Sequence, residues 1–175
     1  MGGAEYMKSI KKYETIINEA LRSALEYDTP EGQINEFISF FGKHIGSDRI
    51  YIFEDDEEHH VTNNTYEWCT EGITPQIEHL QGVNMEVIDW WYDTFDEGKS
   101  VIISDVEELK GVHQVSYNML KYQNVRKVVV SPLRHKGQIK GFFGVDNPPA
   151  VDYSALTMFF FLMIRRPPRS TLFPY

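Results

Sequence analysis

Few side chains in this sequence carry reactive chemistry, and their neighbours decide what each can do. Cys69 is the one thiol. As a nucleophile, redox sensor or covalent attachment point it would need a nearby base or cation to depress its pKa. Its sequence neighbours Glu67 and Glu71 supply the opposite field, so packing at a strand end is expected. His59-His60 follows Asp55-Asp56-Glu57-Glu58, a run of metal-ligand types. Adjacent residues of an extended segment face opposite ways, so the two imidazoles do not converge on one ion, and a solvated turn with no metal is expected. Trp68, Trp90, Trp91, Tyr117 and Phe143 could stack on a flat ligand or fill a core. Trp90 and Trp91, as helical neighbours, point about 100° apart, so at most one faces inward. Asp146-Asn147-Pro148 ends an apolar run and reads as a turn and cap.

The 175 residues suffice for one domain, and 42% hydrophobic with 14% aromatic residues is ample for a core. One cysteine excludes an internal disulfide and suits a reducing cytoplasm. The longest apolar run, 156–164, is well short of the ~20 residues of a membrane span, so a cytoplasmic protein is expected. Net charge is −9, and residues 1–158 alone carry 14 basic and 26 acidic groups. Such a domain repels phosphate backbones and anionic lipid, which argues against nucleic-acid and membrane partners.

The elements that must position these residues follow from periodicity. Ile10, Tyr13, Ile16, Ile17, Ala20, Leu21, Ala24 and Leu25 recur every three to four residues, which predicts a long amphipathic helix over 6–27. Its apolar stripe is wide enough to suggest a second copy as partner, hence a homodimer. Thr29-Pro30 is a cap and first-turn signal for a second helix carrying Ile34, Phe37, Ile38, Phe41 and Ile45 and ending near Gly46. Residues 49–53 and 61–69 then read as a long-turned hairpin, 85–97 as a helix, 100–104 as a strand, and 112–122 as a helix with Val115, Met119 and Tyr122 on one face. Lys136-Gly137 joins strands 126–135 and 138–146, with Pro132 marking an edge or bulge. Strands and helices do not strictly alternate, so the expected class is α+β with an antiparallel sheet.

In this order the segments resemble a GAF domain. The resemblance rests on Arg49-Ile50-Tyr51-Ile52-Phe53, Asn64 to Ile73 (NTYEWCTEGI), Ile103-Ser104-Asp105-Val106 with Leu109, Ser131-Pro132-Leu133, and Gly141 to Pro148 (GFFGVDNP). It implies five or six antiparallel strands with long helices behind and a pocket in front. It further implies a sensory or dimerising module of a bacterial signalling protein whose output domain lies outside this sequence. The family binds cyclic nucleotides, tetrapyrroles or other small molecules, or none. The Asn-Lys-Phe-Asp-Glu signature of the cyclic-nucleotide subgroup is absent, so the ligand is unassigned. The resemblance places His113, Gln114 and Asn118 on the helix beside the pocket and brings Asp146 near it. The ligand-binding candidates are Trp68, Trp91, His113, Tyr117 and Phe143. Two alternatives accompany this reading. One is an enzyme like free-methionine-sulfoxide reductases, against which a single cysteine counts. The other is a purely structural dimerisation module.

Residues 163–175 (MIRRPPRSTLFPY) resemble the translation of a common short-read sequencing adapter. The expected organisation is therefore an amphipathic helix over 1–28, a sensory domain over 29–158 and a non-native tail over 159–175. A helix starting at Tyr153 is expected to have led to the output domain.

Overall fold

The computed structural model describes residues 3–149; the expected tail and the helix from Tyr153 lie outside them. Two helices lead the chain: α1 (Gly3–Ala24) and α2 (Pro30–Ile45). The cap at their junction follows the sequence signal. Thr29 accepts from the Gly32 amide, Pro30 occupies the first turn, and Gly46 closes the helix at φ 76°. Only a residue without a Cβ adopts that left-handed value freely.

Six strands follow: β1 (Arg49–Asp56), β2 (Val61–Cys69), β3 (Val83–Asn84), β4 (Val101–Ile103), β5 (Val128–His135) and β6 (Gln138–Asp146). They form one antiparallel sheet in the order β3-β2-β1-β6-β5-β4. The two-residue β3 carries no period and was not foreseen. Between β3 and β4 lie a 3-10 turn (Met85–Ile88) and α3 (Asp89–Asp96); between β4 and β5 lie a second 3-10 turn (Val106–Leu109) and α4 (Gln114–Tyr122). Pro132 falls beyond the end of β4, which reaches β5 only at Val128–Val130, and a register shift follows at Leu133/Arg134. The missing amide therefore costs no ladder bond on that flank.

Alternation along β1 and β6 divides the core in two. Ile50, Phe143 and Val145 face α1 and α2, where they meet Tyr13, Ile16, Ile17, Ala20, Ile38 and Phe41. Tyr51, Phe53 and Phe142 face the other way, toward Ile88, Trp91, Phe95 and Leu120. Both faces of the sheet are thus covered. This corrects one expectation in part: most of the apolar stripe is buried within the chain, with Tyr13 at 1% and Ala20 at 0% exposure, while Leu21 (38%) and, just past α1, Leu25 (72%) stay exposed. The buried part of the stripe therefore supplies no argument for a second copy.

A second correction concerns α4. Val115 and Tyr122, expected to share one apolar face with Met119, are exposed, and the helix instead turns Ser116 and Leu120 inward. The cause is polar. The Ser116 hydroxyl accepts from the Trp90 indole N–H (3.1 Å) and donates to the Val87 carbonyl (3.1 Å), which fixes the rotation of the helix.

Gly42, in the last turn of α2, lies where a Cβ would enter the ring of Trp68 and crowd Ile50. Replacing an exposed helical glycine by alanine stabilises a helix by up to ~1 kcal/mol. Here Gly42→Ala is expected to lose about 1–3 kcal/mol by overpacking, measured by urea unfolding. A gain in stability would show that α2 does not sit this close to β2.

Candidate functional site

Arg49 opens β1 and Asp146 ends β6, and the antiparallel register sets them directly opposite each other. Cross-strand neighbours on one face bring their side chains together. Arg49 Nη1 donates to Asp146 Oδ2 at 2.7 Å, with both side chains about 3% exposed. Two residues on, Tyr51 pairs with Gly144. A Cβ on Gly144 would collide with the Tyr51 ring, so glycine lets that ring lie flat across β6. Its hydroxyl then reaches Asp146 Oδ1 at 3.0 Å.

Arg49 gathers three further segments. Its Nη1 also donates to Gln123 Oε1 at the C-cap of α4 (3.2 Å), and its Nη2 donates to the Thr74 carbonyl (3.0 Å) in the connection after β2. Its Nε lies 3.5 Å from Glu67 Oε1 without a hydrogen bond. Glu67 is itself well held, accepting from Asn64 Nδ2 (3.0 Å) and from the amides of Gln76 (2.8 Å) and Ile77 (3.1 Å).

Arg49, Tyr51, Gln123 and Asp146 of this polar group border a cavity between the sheet and the α3/α4 layer. Tyr51, Phe53 and Phe142 line it from the sheet, Ile88 and Trp91 from the α3 side, Met119 and Leu120 from α4, and Leu80 and Val83 from the segment leading into β3. The aromatic wall is ordered: Phe53 stacks on Phe142 (4.7 Å), and Trp91 meets Phe142 edge-on (5.6 Å). About 30 Å³ is open to the centre of a water-sized molecule, room for one or two waters. The buried indole N–H of Trp91 has no hydrogen-bond partner among the described residues.

Burial sets the electrostatics. It pushes the Asp146 carboxyl up to about 6, against the opposing pull of Arg49 and the Tyr51 hydroxyl. Burial also works against the charge of Arg49, but Asp146, then the Cys69 side chain and Glu67, outweigh it and raise its pKa. Because the folded value of Asp146 lies above its ordinary 3.8, the native state keeps this proton longer than the unfolded chain does. Ionised Asp146 therefore costs stability above about pH 6, and that cost disappears as pH falls from about 6 toward 3.8.

Of the sequence candidates, Trp91 lines this cavity. Trp68 and Phe143 do not: both pack on the opposite face of the sheet, against α1 and α2. His113 stacks on Trp90 at 4.3 Å, the Tyr117 hydroxyl donates to Glu107 Oε2 at 3.2 Å, and Gln114 donates to Asn118. None of these residues borders the cavity. Reading Asp146 as part of a turn is also corrected. Asn147 does that work, at φ 49°, accepting from the Arg126 and Lys127 amides, while Asp146 is the buried carboxylate. Cys69 is half-buried, and burial followed by Glu67 pushes its thiol up to about 11. His59 pairs with Asp56 at 2.8 Å in the exposed turn between β1 and β2. Arg49, Tyr51 and Gln123 were missed. The signal for Arg49 and Tyr51 was alternation, since both share one face with Phe53 in the run 49–53.

A single antiparallel sheet with a helical pair behind and short helices closing a pocket in front defines a class of α+β folds. No family model matches the sequence, and no curated protein matches it. Solved structures do. A phycocyanobilin-bound GAF domain from a cyanobacterial phytochrome superposes with a TM-score of 0.68 at 15% identity, over 87% of this chain and 90% of that one. The GAF domain of a phosphoenolpyruvate-protein phosphotransferase from Coxiella burnetii gives 0.65 at 9% identity, over 89% and 92%. Free methionine-R-sulfoxide reductase from Neisseria meningitidis, in complex with its substrate, gives 0.64 at 11% identity, over 89% and 86%. The chain has the GAF fold.

Removing one partner of a buried ion pair strands the other. Arg49→Met is expected to lose about 3–5 kcal/mol, and the double variant Arg49→Met, Asp146→Leu to recover most of that loss. Denaturant unfolding of both variants checks this. A double variant no more stable than the single one would show that Asp146 is not the main partner.

Proposed function

We propose that this chain is a sensory module that binds a small molecule in the cavity beside Arg49. One observation carries the reading: a guanidinium, a carboxylate and an unpartnered indole N–H are buried at a cavity otherwise lined mainly by aromatic and aliphatic side chains. Binding sites combine such apolar walls with a few placed polar groups. Arg49 also supplies a route out of the site. A ligand that draws on its donors competes with Gln123 and Thr74, and so loosens the hold on α4 and on the connection after β2.

The solved relatives bind different things: the phytochrome GAF domain holds phycocyanobilin and the reductase its substrate. Here a cavity of about 30 Å³ favours a much smaller ligand than a tetrapyrrole. Against a reductase-like activity stands the Cys69 thiol, which at about 11 remains protonated at neutral pH and so lacks the reactive thiolate.

Thermal melts of the full chain against a panel of small metabolites test the reading, since a ligand that binds only the folded state raises the melting temperature. At least one compound is expected to raise it and to change tryptophan fluorescence, with Trp91→Phe, which keeps an aromatic ring but loses the indole N–H, weakening both effects. If responses persist undiminished in both Trp91→Phe and Phe142→Ala, the cavity is not the site.

A further inference from the structure

One buried donor at the cavity lacks an acceptor: Trp91 Nε1 has no hydrogen-bond partner among the described residues. The Arg49 guanidinium borders the same cavity, its Nη1 on Asp146 at 2.7 Å and its Nε in an ion pair with Glu67 at 3.5 Å. Both side chains are 3% exposed, and both residues line the cavity. A buried donor left without an acceptor is costly, so the missing partner is an acceptor-rich group. The rest of the lining, namely Phe53, Phe142, Ile88 and Leu120, asks for an apolar body.

Resting on the sensory reading of the same site, we propose that the ligand is a small monocarboxylic acid with a short apolar body. Its carboxylate takes over from Asp146 as the principal acceptor of Arg49, while Asp146 takes up a proton from solvent.

A third carboxylate beside one guanidinium is tolerated only if one of the existing two is neutralised. Glu67 is poorly suited to that role, because three N–H donors besides Arg49 stabilise its charge. Asp146 is suited to it. Apart from Arg49 its hydrogen-bond donor is the Tyr51 hydroxyl, and its burial already favours the neutral form. The charged or titratable groups facing this site are Arg49 and Tyr51 from β1 and Glu67 and Cys69 from β2; α4 contributes the uncharged Gln123. The Tyr51 phenol and the Cys69 thiol are both raised and stay neutral, leaving Asp146 as the group that changes charge. Once protonated, Asp146 has an O–H to donate to the incoming carboxylate, and the proton balance is one taken from solvent per ligand bound.

The sign of the pH dependence follows. Above about pH 6 the free protein must acquire the proton on binding, so affinity falls by up to about tenfold per pH unit. Calorimetry on the full chain with acetate and propionate, each beside its primary amide, tests this in two buffers of different ionisation enthalpy. The expected result is that at least one acid binds about tenfold or more tighter than its amide, with close to one proton taken up. Asp146→Asn, a mimic of the protonated form, is expected to bind the same acid without pH dependence. Should that variant not fold, proton uptake by the unaltered chain still decides. Amides binding as well as acids, or acids binding without proton uptake, would overturn the ligand class and leave the sensory site standing. If both acids fail to bind while an uncharged metabolite binds, the class also falls; if a broad metabolite panel gives no binder at all, it is the sensory reading that fails.

Discussion

A guanidinium held at 3% exposure must be ringed by acceptors, because an isolated buried charge costs many kcal/mol. Meeting that demand at Arg49 organises this domain. Its acceptors come from the end of β6, the connection after β2 and the C-cap of α4, with Glu67 of β2 close by. These parts are distant in sequence, up to 97 residues from Arg49, and each is tied to the same group. The ion pair also depends on strand register. A slip of one residue between β1 and β6 would turn Arg49 or Asp146 into the apolar layer against α1 and α2.

The same constraint separates two roles. The α1/α2 face is a packed support in which Phe41 and Ile38 are fully buried and Gly42 lets the Trp68 ring approach closely. The opposite face combines packed aromatics with a small space and a charge cluster. Arg49 and Asp146 are therefore poor candidates for a purely structural purpose, since well-packed apolar residues of like volume stabilise as much as a buried ion pair or more. Their presence where the cavity lies, rather than in the α1/α2 core, is what points to ligand recognition.

The sequence made local features legible and left tertiary ones hidden. Thr29-Pro30 and Lys136-Gly137 marked a helix start and a hairpin turn because caps and tight turns depend on a few adjacent residues. The class of fold followed from the order of such segments. The site was harder to read. Phe142 and Phe143 are both aromatic and adjacent, so nothing local says which faces the pocket; pairing with β1 decides it. Trp68 was misplaced for the same reason. On α4 the apolar spacing of Val115, Met119 and Tyr122 suggested one apolar face, but the hydrogen bonds made by Ser116 outweighed it. Asp146 looked like part of a turn because its partner Arg49 lies nearly a hundred residues away, and only the register brings them together.

The central claim is that Asp146 is a buried, readily neutralised carboxyl beside Arg49. Its most direct test is the carbon-13 chemical shift of the Asp146 carboxyl carbon, followed across a pH titration of the full chain and assigned through Asp146→Asn. The structure predicts a midpoint at about 6. A midpoint at or below the ordinary 3.8 would contradict the account, because it would mean that solvent or Arg49 stabilises the charged form more than burial opposes it.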